Sequence, residues 1–122
     1  MSLNIFFTKC KSKNIGSFGK MSFLAKYFED LGFDTDHRDS FEISKEDVEV
    51  LLSRCKQVLK KHSLAEELLP TTEELFFGNT NYDEAYFDDV KAVRDYVKNT
   101  LLPQFDELKE DEKIYFEILY NE

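Results

Sequence analysis

The feature that most constrains the fold is an apolar stripe between residues 82 and 101. Its members recur at steps of four and three residues: Tyr82, Tyr86, Val90, Val93, Val97 and Leu101. This period predicts an amphipathic helix of about five turns with one buried face. Phe76 and Phe77 precede the stripe and end at Gly78. We therefore expect at least one of these two rings to fill the core where the helices meet.

In two segments at opposite ends of the chain, successive side chains alternate between two faces, as they do in β-strands. They are residues 3–8 and residues 113–120. Because the backbone groups of a strand need hydrogen-bond partners, we predict that both belong to one sheet, as neighbours. Residues 41–43 are a third, short strand candidate.

Two further segments are predicted to be long helices. Residues 17–31 carry a helical apolar period, and Gly32 is well placed to end that helix in the left-handed conformation. Residues 44–61 begin with Ser44 and Asp47 at the spacing of a capping box and continue with an apolar stripe.

The remaining signals complete the predicted architecture. A second capping-box spacing at Ser63 predicts a short helix that stops at Leu69, because Pro70 follows it. Pro103 predicts a break after the helix of the apolar stripe. We therefore predict a single α+β domain over residues 1–122, with three main helices packed on a small sheet that includes the N- and C-terminal strands.

The charge of the chain restricts its partners. The net charge is −9 and the isoelectric point is about 4.7. A non-specific nucleic-acid binder needs basic residues to displace counterions from phosphates, and docking on an anionic membrane needs them as well. Neither direct nucleic-acid binding nor membrane binding is therefore expected. The acidic residues serve solubility, or they form an acidic face for a basic partner, including mimicry of a nucleic-acid backbone.

The cysteines and the hydropathy of the chain indicate a compartment. Cys10 and Cys55 are not arranged as a CxxC pair, and the sequence shows neither a signal peptide nor an apolar run near 18 residues. We therefore expect free thiols and a cytoplasmic protein. Cys55 lies on the apolar stripe of its helix and is predicted to be a core residue.

Several residue types that carry chemistry were considered as catalytic or metal sites. Glu84 and Asp88 share a helix face with the spacing of half a carboxylate metal site, but the Glu-x-x-His partners of such a site are missing from the sequence. Asp34 and Asp36 match the first two positions of a calcium loop, which then fails at its glycine and glutamate positions. No catalytic residue, metal or cofactor is predicted.

The predicted binding site is the N-terminus of the helix that carries the apolar stripe of residues 82–101. The candidate residues are Phe76, Phe77, Asn79, Asn81, Tyr82, Glu84 and Asp88. Free backbone N–H groups at a helix N-terminus, beside aromatic rings, can receive a phosphate or a base. The alternative is an aromatic core plug followed by an ordinary helix cap, with the acidic side chains complementing the helix dipole.

One block of the sequence resembles the signature of a known family. Residues 66–71, Glu-Glu-Leu-Leu-Pro-Thr, are followed by the aromatic run that ends at Gly78, and then by residues 82–90, Tyr-Asp-Glu-Ala-Tyr-Phe-Asp-Asp-Val. This pattern is similar to that of a widespread family of small proteins of phages and bacterial mobile elements, for which no activity is established. Residues 1–5 also resemble the start of its members.

The resemblance fails at the start of the first helix. Relatives often carry an aromatic-Arg-Lys-x-Asn pattern there, and Gly19 and Ser22 stand at its Arg and Asn positions in this chain. If the Arg and the Asn form a polar site in the relatives, this chain has lost or changed it.

These observations lead to three hypotheses of function. The first is a non-enzymatic phage or mobile-element accessory protein that binds a host protein in the host cytoplasm, for example an anti-defence inhibitor. The second is a binder of a small nucleotide or signalling molecule at the aromatic–helix junction. The third is a small enzyme. The sequence does not identify the oligomeric state.

Overall fold

The computed structural model describes residues 2–9, 13–19, 21–32, 40–71 and 81–121. In chain order its strands and helices are β1 (Ser2–Lys9), β2 (Lys13–Gly19), α1 (Ser22–Asp30), β3 (Ser40–Ile43), α2 (Lys45–Lys60), a 3₁₀ turn (His62–Leu64), α3 (Ala65–Leu68), α4 (Glu84–Tyr96), a π turn (Val97–Leu101), α5 (Leu102–Asp106) and β4 (Ile114–Asn121). None of the helices in these ranges has both the length and the apolar character needed to cross a membrane.

The strands form one antiparallel sheet in the order β2-β1-β4-β3. The two terminal strands lie side by side at its centre, with Ser2 opposite Asn121 and Lys9 opposite Ile114. The predicted pairing of the chain ends is therefore confirmed, and so is the α+β fold.

The core lies between one face of the sheet and the helices. The alternation of each central strand sends Ile5, Phe7, Ile114 and Phe116 inward, where all four are fully buried. The ring of Phe28 from α1 stacks on Phe116 with centroids 4.1 Å apart. The apolar stripe of α4 and of the π turn covers the same core, and its residues from Tyr86 onward are buried, as predicted.

The structure corrects the predicted start of the first helix. Residues 17–19 were predicted to be helical but belong to β2, and α1 begins only at Ser22. Pairing with β1 overrides the local helical period, because Phe18 opposes Ile5 in the ladder and packs edge-on against Phe7. Strand β2 has no counterpart among the strands predicted from the sequence.

The other boundaries are mostly as predicted. The Ser44–Asp47 capping box is present at the start of α2, with both of its hydrogen bonds at 3.1 Å. The short helix does stop at Leu69. The second capping box is not made: the 3₁₀ turn begins at His62, two residues too early for Ser63 to act as its cap, and the described residues provide no side-chain cap there.

The prediction that Pro103 breaks the helix is wrong. The helical path continues from α4 through the π turn into α5, and Pro103 lies within the first turn of α5. The N–H of Leu102 donates to the carbonyl of Val97, five residues back. This wider turn just before the proline accommodates its ring and its missing N–H without ending the helix.

Candidate binding site where α1 meets α4

The predicted binding residues separate into three groups. Phe76, Phe77 and Asn79 lie outside the described residues. Asn81 is exposed, and Tyr82 is half-buried just before α4. Glu84 and Asp88 are exposed on the side of α4 that faces away from the core. The acidic residues are thus exposed to solvent, whereas Tyr82 is partly covered by the protein.

The N-terminus of α4 already holds a carboxylate of the chain itself. Asp83 is its N-cap residue, and Asp83 Oδ1 accepts from the backbone N–H of Tyr86 at 3.1 Å. This cap stabilises the helix and satisfies one of its free N–H groups. A phosphate placed at the same N–H groups would meet the negative charge of Asp83. The arrangement therefore disfavours the predicted anion site at this helix end.

Two tyrosines connect α4 to the segment that follows α3. The hydroxyl of Tyr86 donates to the carbonyl of Leu69 at 2.7 Å, and the N–H of Thr71 donates to the hydroxyl of Tyr82 at 3.2 Å. The two rings meet edge to face, with centroids 5.1 Å apart. Burial raises the pKa of Tyr86, so its hydroxyl keeps its proton for the bond to Leu69. Both parts of the signature block therefore pack against each other.

A small cavity lies where this packed region meets the start of α1. Its volume is about 30 Å³. The residues that line it come from three separate parts of the chain: Met21, Ser22, Phe23, Thr71, Ala85, Tyr86 and Asp89. Ala85 is exposed and Asp89 is half-buried, so the cavity borders the surface on the α4 side.

Ser22 is the most unusual residue of this cavity. It is 2% exposed, and its Oγ has no hydrogen-bond partner within the described part of the chain. It is also the first residue of α1, whose N-cap residue, Met21, has an apolar side chain that makes no capping hydrogen bond. A buried helix end of this kind leaves backbone N–H groups in need of an acceptor. Polar hydrogen-bonding capacity is thus concentrated at the cavity wall.

Asp89 supplies the acidic wall. Burial raises the pKa of Asp89, and the nearby carboxylates of Asp88 and Asp83 raise it further. All three influences disfavour the ionised form of Asp89, and a hydrogen-bond donor beside it would favour that form again. The cavity therefore places the donor groups of α1 and a partly desolvated acid around the same small volume.

The opposite flank of α4 is closed by rings. His62 stacks on Phe87 with centroids 3.7 Å apart and an interplanar angle of 13°. Phe87 in turn meets Tyr86 edge to face at 5.0 Å. These contacts attach the 3₁₀ turn to α4, so His62 has a packing role here.

Of the remaining candidates from the sequence, Cys55 has a clear position. Cys55 is fully buried in α2, and its burial raises the pKa of the thiol to about 12, as expected for a core residue. In the ranges that the structure describes, no group of three or more His, Cys, Asp or Glu side chains is arranged to hold a metal ion. Asp34, Asp36 and Cys10 lie outside those ranges.

In the sequence, Ser22 stands out only as a departure from the resembling family, and Asp89 only as part of the block of residues 82–90. Comparison with known proteins adds no further assignment: no family model matches the chain, and neither a curated protein nor a solved structure is significantly similar to it.

Proposed function

We propose that the protein is a non-enzymatic phage or mobile-element accessory protein that acts in the host cytoplasm by binding a host protein with a basic surface. A component of host defence that the protein inhibits is the target we favour. The observation that carries the proposal is the acidic face of α4, defined here as Glu84, Asp88 and Asp95. The phage context rests on the resemblance of residues 66–90 to the family signature.

The acidic face runs along one side of α4 and is interrupted by the exposed Lys91. Glu84 and Asp88 are exposed and four residues apart. Asp95 is half-buried two turns further along, and its Oδ1 pairs with Arg94 Nη2 at 2.9 Å. Side chains at this spacing project from the same side of a helix. Together with the net charge of −9, they favour attraction of a basic protein surface over long range.

The helix that carries this face is firmly held. Val90 and Val93 on its inner side are fully buried, and Asp83 caps its first turn. A binding surface whose backbone is already ordered loses less conformational entropy on association. This supports α4 as a preformed recognition element.

The proposal is tested by capture from host lysate with two matched triple variants. The first changes Glu84, Asp88 and Asp95 to Lys. The second changes Glu107, Glu110 and Asp111, exposed residues after α5, to Lys, and so alters the net charge by the same amount. We expect wild type and the second variant to capture a basic protein, identified by mass spectrometry, that the first variant loses.

Salt provides a second criterion. Attraction between charged surfaces is screened with a Debye length of about 8 Å at physiological ionic strength and about 3 Å at 1 M. Capture should therefore weaken as salt is added. Equal loss of capture in both triple variants would mean that net charge alone attracts the partner. Capture that is unaffected by the first variant and by salt would refute the proposed face.

The nucleotide-binding hypothesis has less support at the N-terminus of α4. Asp83 occupies the position that a phosphate would take, and its carboxylate would repel that phosphate. The small cavity beside α1 differs, because its helix end has no capping carboxylate among the described residues.

A further inference from the structure

The cavity between α1 and α4 combines hydrogen-bond donors on one side with an acid on the other. We propose that this cavity is a subsite for a primary carboxamide group, whose oxygen accepts from Ser22 and the first turn of α1 and whose NH₂ donates to Asp89. The site lies on the flank of α4 that faces α1, and it goes beyond the proposed protein-binding face.

The donor side of the subsite belongs to α1. Ser22 Oγ is buried without a partner in the described part of the chain, so its O–H is available to a ligand acceptor. Ser22 and Phe23, whose backbone N–H groups belong to the first turn of α1, both line the cavity, and this turn carries the positive end of the helix dipole. A carbonyl oxygen, with two lone pairs, can accept from both kinds of donor.

The acid on the other side determines the charge of the ligand. A carboxylate or phosphate in the cavity would be close to Asp89, with Asp88 and Asp83 also near. A cation would face the positive end of the α1 dipole. A neutral group that accepts on one side and donates on the other satisfies both walls, and a primary carboxamide is such a group.

The volume limits the ligand to one functional group. A water molecule needs roughly 10–15 Å³ of such a cavity, so about 30 Å³ holds about two waters or a planar three-atom group in their place. A nucleoside does not fit. The rest of a larger ligand would extend past Ala85, which is exposed at the edge of the cavity. The carboxamide can therefore belong to a free amide or to the side chain of an Asn or Gln residue.

The test is a titration of the ¹⁵N-labelled protein followed by NMR. Acetamide should shift the amide signals of Ser22, Phe23 and Asp89 with saturation and a Kd of about a millimolar, as suits so small a ligand. Acetate has the same shape but a negative charge, and we expect it to bind at least about tenfold more weakly because of Asp89. N-acetyl-asparagine-N′-methylamide, whose only primary carboxamide is its side chain, tests the second source.

The relative affinities of these two amides identify the source. Tighter binding of the asparagine compound than of acetamide supports recognition of a protein side chain, whereas binding of acetamide alone supports a free amide. Both outcomes support a carboxamide subsite. Absence of saturable shifts at Ser22, Phe23 and Asp89 with either compound would overturn it and leave a cavity for water only.

Two variants test the two walls separately. Ser22→Ala removes one neutral donor and should weaken acetamide binding about three- to tenfold. Asp89→Asn replaces the acid by a neutral group with its own donors, so acetate should gain affinity and the preference for acetamide should fall or reverse. The control Asp111→Asn makes the same charge change at an exposed site elsewhere and should keep the wild-type preference.

The same variants define the results that would contradict the proposal. The amide spectra report whether each variant remains folded, so a change in affinity is separable from loss of structure. Unchanged affinity for acetamide in Ser22→Ala, together with an unchanged acetamide preference in Asp89→Asn, would overturn the assigned roles. Equal binding of acetate and acetamide by wild type would also overturn the proposal.

Discussion

Each end of α4 places a tyrosine against another part of the chain. The C-terminal end is closely packed and is called the filled end here, whereas the N-terminal end borders the cavity and is called the unfilled end. At the C-terminal end, the hydroxyl of Tyr96 donates to the carbonyl of Ile15 in β2 at 3.0 Å. Its ring lies so close to Gly16 that any Cβ there would overlap it, and it meets Phe18 edge to face at 5.3 Å. No spare volume is left at this contact.

At the N-terminal end the packing is incomplete. Tyr86 is equally well hydrogen-bonded, to Leu69, but a cavity of about 30 Å³ lies beside it, together with the hydroxyl of Ser22, which has no partner among the described residues. A cavity and a buried polar group without a partner both lower stability. Their occurrence together at this end of α4 is the basis of the carboxamide subsite proposed above. The filled end fixes the helix against β2, and the unfilled end contains the proposed subsite.

The largest expected effect is at the filled end. Gly16→Ala adds a Cβ that overlaps the hydroxyl and ring carbons of Tyr96. Because Tyr96 is fixed by its bond to Ile15 and by the rings around it, we expect a loss of about 1–3 kcal/mol in the free energy of unfolding. Denaturant titration measures this loss. Ser17→Ala, at the exposed neighbouring position of β2, is the control and should change stability by less than about 0.5 kcal/mol.

A double-mutant cycle identifies the cause of that loss. If the overlap with Tyr96 is responsible, Gly16→Ala should cost much less in a Tyr96→Ala background, with a coupling energy of about 1 kcal/mol or more. Additive effects of the two changes would mean that Gly16 is required for another reason, and the filled end would lose its explanation.

The sequence was sufficient for the elements whose pattern is local. The stripe of α4, the alternation of β1 and β4 and the capping box at Ser44 each depend on neighbouring residues, and each is present in the structure. Strand β2 was missed because it contains Gly16 and Gly19 and because its Phe18 also fits a helical period. Only pairing with β1, a tertiary effect, decides its conformation. Helix α5 was missed because the π turn before Pro103 has no local signal.

The candidate site was less accessible to sequence reasoning. Tyr82 remains a predicted site residue, and its hydroxyl accepts from the N–H of Thr71. Ser22 and Asp89 are far apart in sequence and acquire their significance only when the fold brings both to one cavity. Burial without a hydrogen-bond partner is a property of the packed chain, and an isolated serine gives no sign of it. The sequence predicts acidic side chains that complement the dipole at the start of this helix, but the role of Asp83 as its cap, and the consequence for phosphate binding, became clear only from the hydrogen bond itself.

A smaller effect of opposite sign is expected at the unfilled end. Ser22→Asn adds a carboxamide at the cavity wall, so the variant supplies from its own chain the group that we propose as ligand. Filling the cavity and using the acceptor of Asp89 should raise the free energy of unfolding by about 0.5–1 kcal/mol. The same variant should no longer bind acetamide in the NMR titration. Denaturant titration alongside Gly16→Ala measures whether the two ends respond in opposite directions.

The matched control for this change is Ser63→Asn, at an exposed serine away from the cavity. It should leave both stability and acetamide binding close to wild type. A clear destabilisation by Ser22→Asn would show that the cavity does not accept a carboxamide in this orientation. Acetamide binding that persists in Ser22→Asn would place the amide site elsewhere.

The smallest expected effect concerns the hydroxyl of Ser22 alone, and its sign is informative. Ser44 and Ser22 both begin helices, but Ser44 Oγ accepts from the N–H of Asp47 at 3.1 Å, whereas Ser22 Oγ has no partner among the described residues. Ser44→Ala should therefore cost about 1 kcal/mol. Ser22→Ala removes an unsatisfied buried hydroxyl and gains slightly in helix propensity, so stability should stay within about 0.5 kcal/mol of wild type, on the stabilising side. Equal losses for the two variants would mean that the Ser22 hydroxyl is already satisfied in solution, and the distinction between a filled and an unfilled end of α4 would no longer hold.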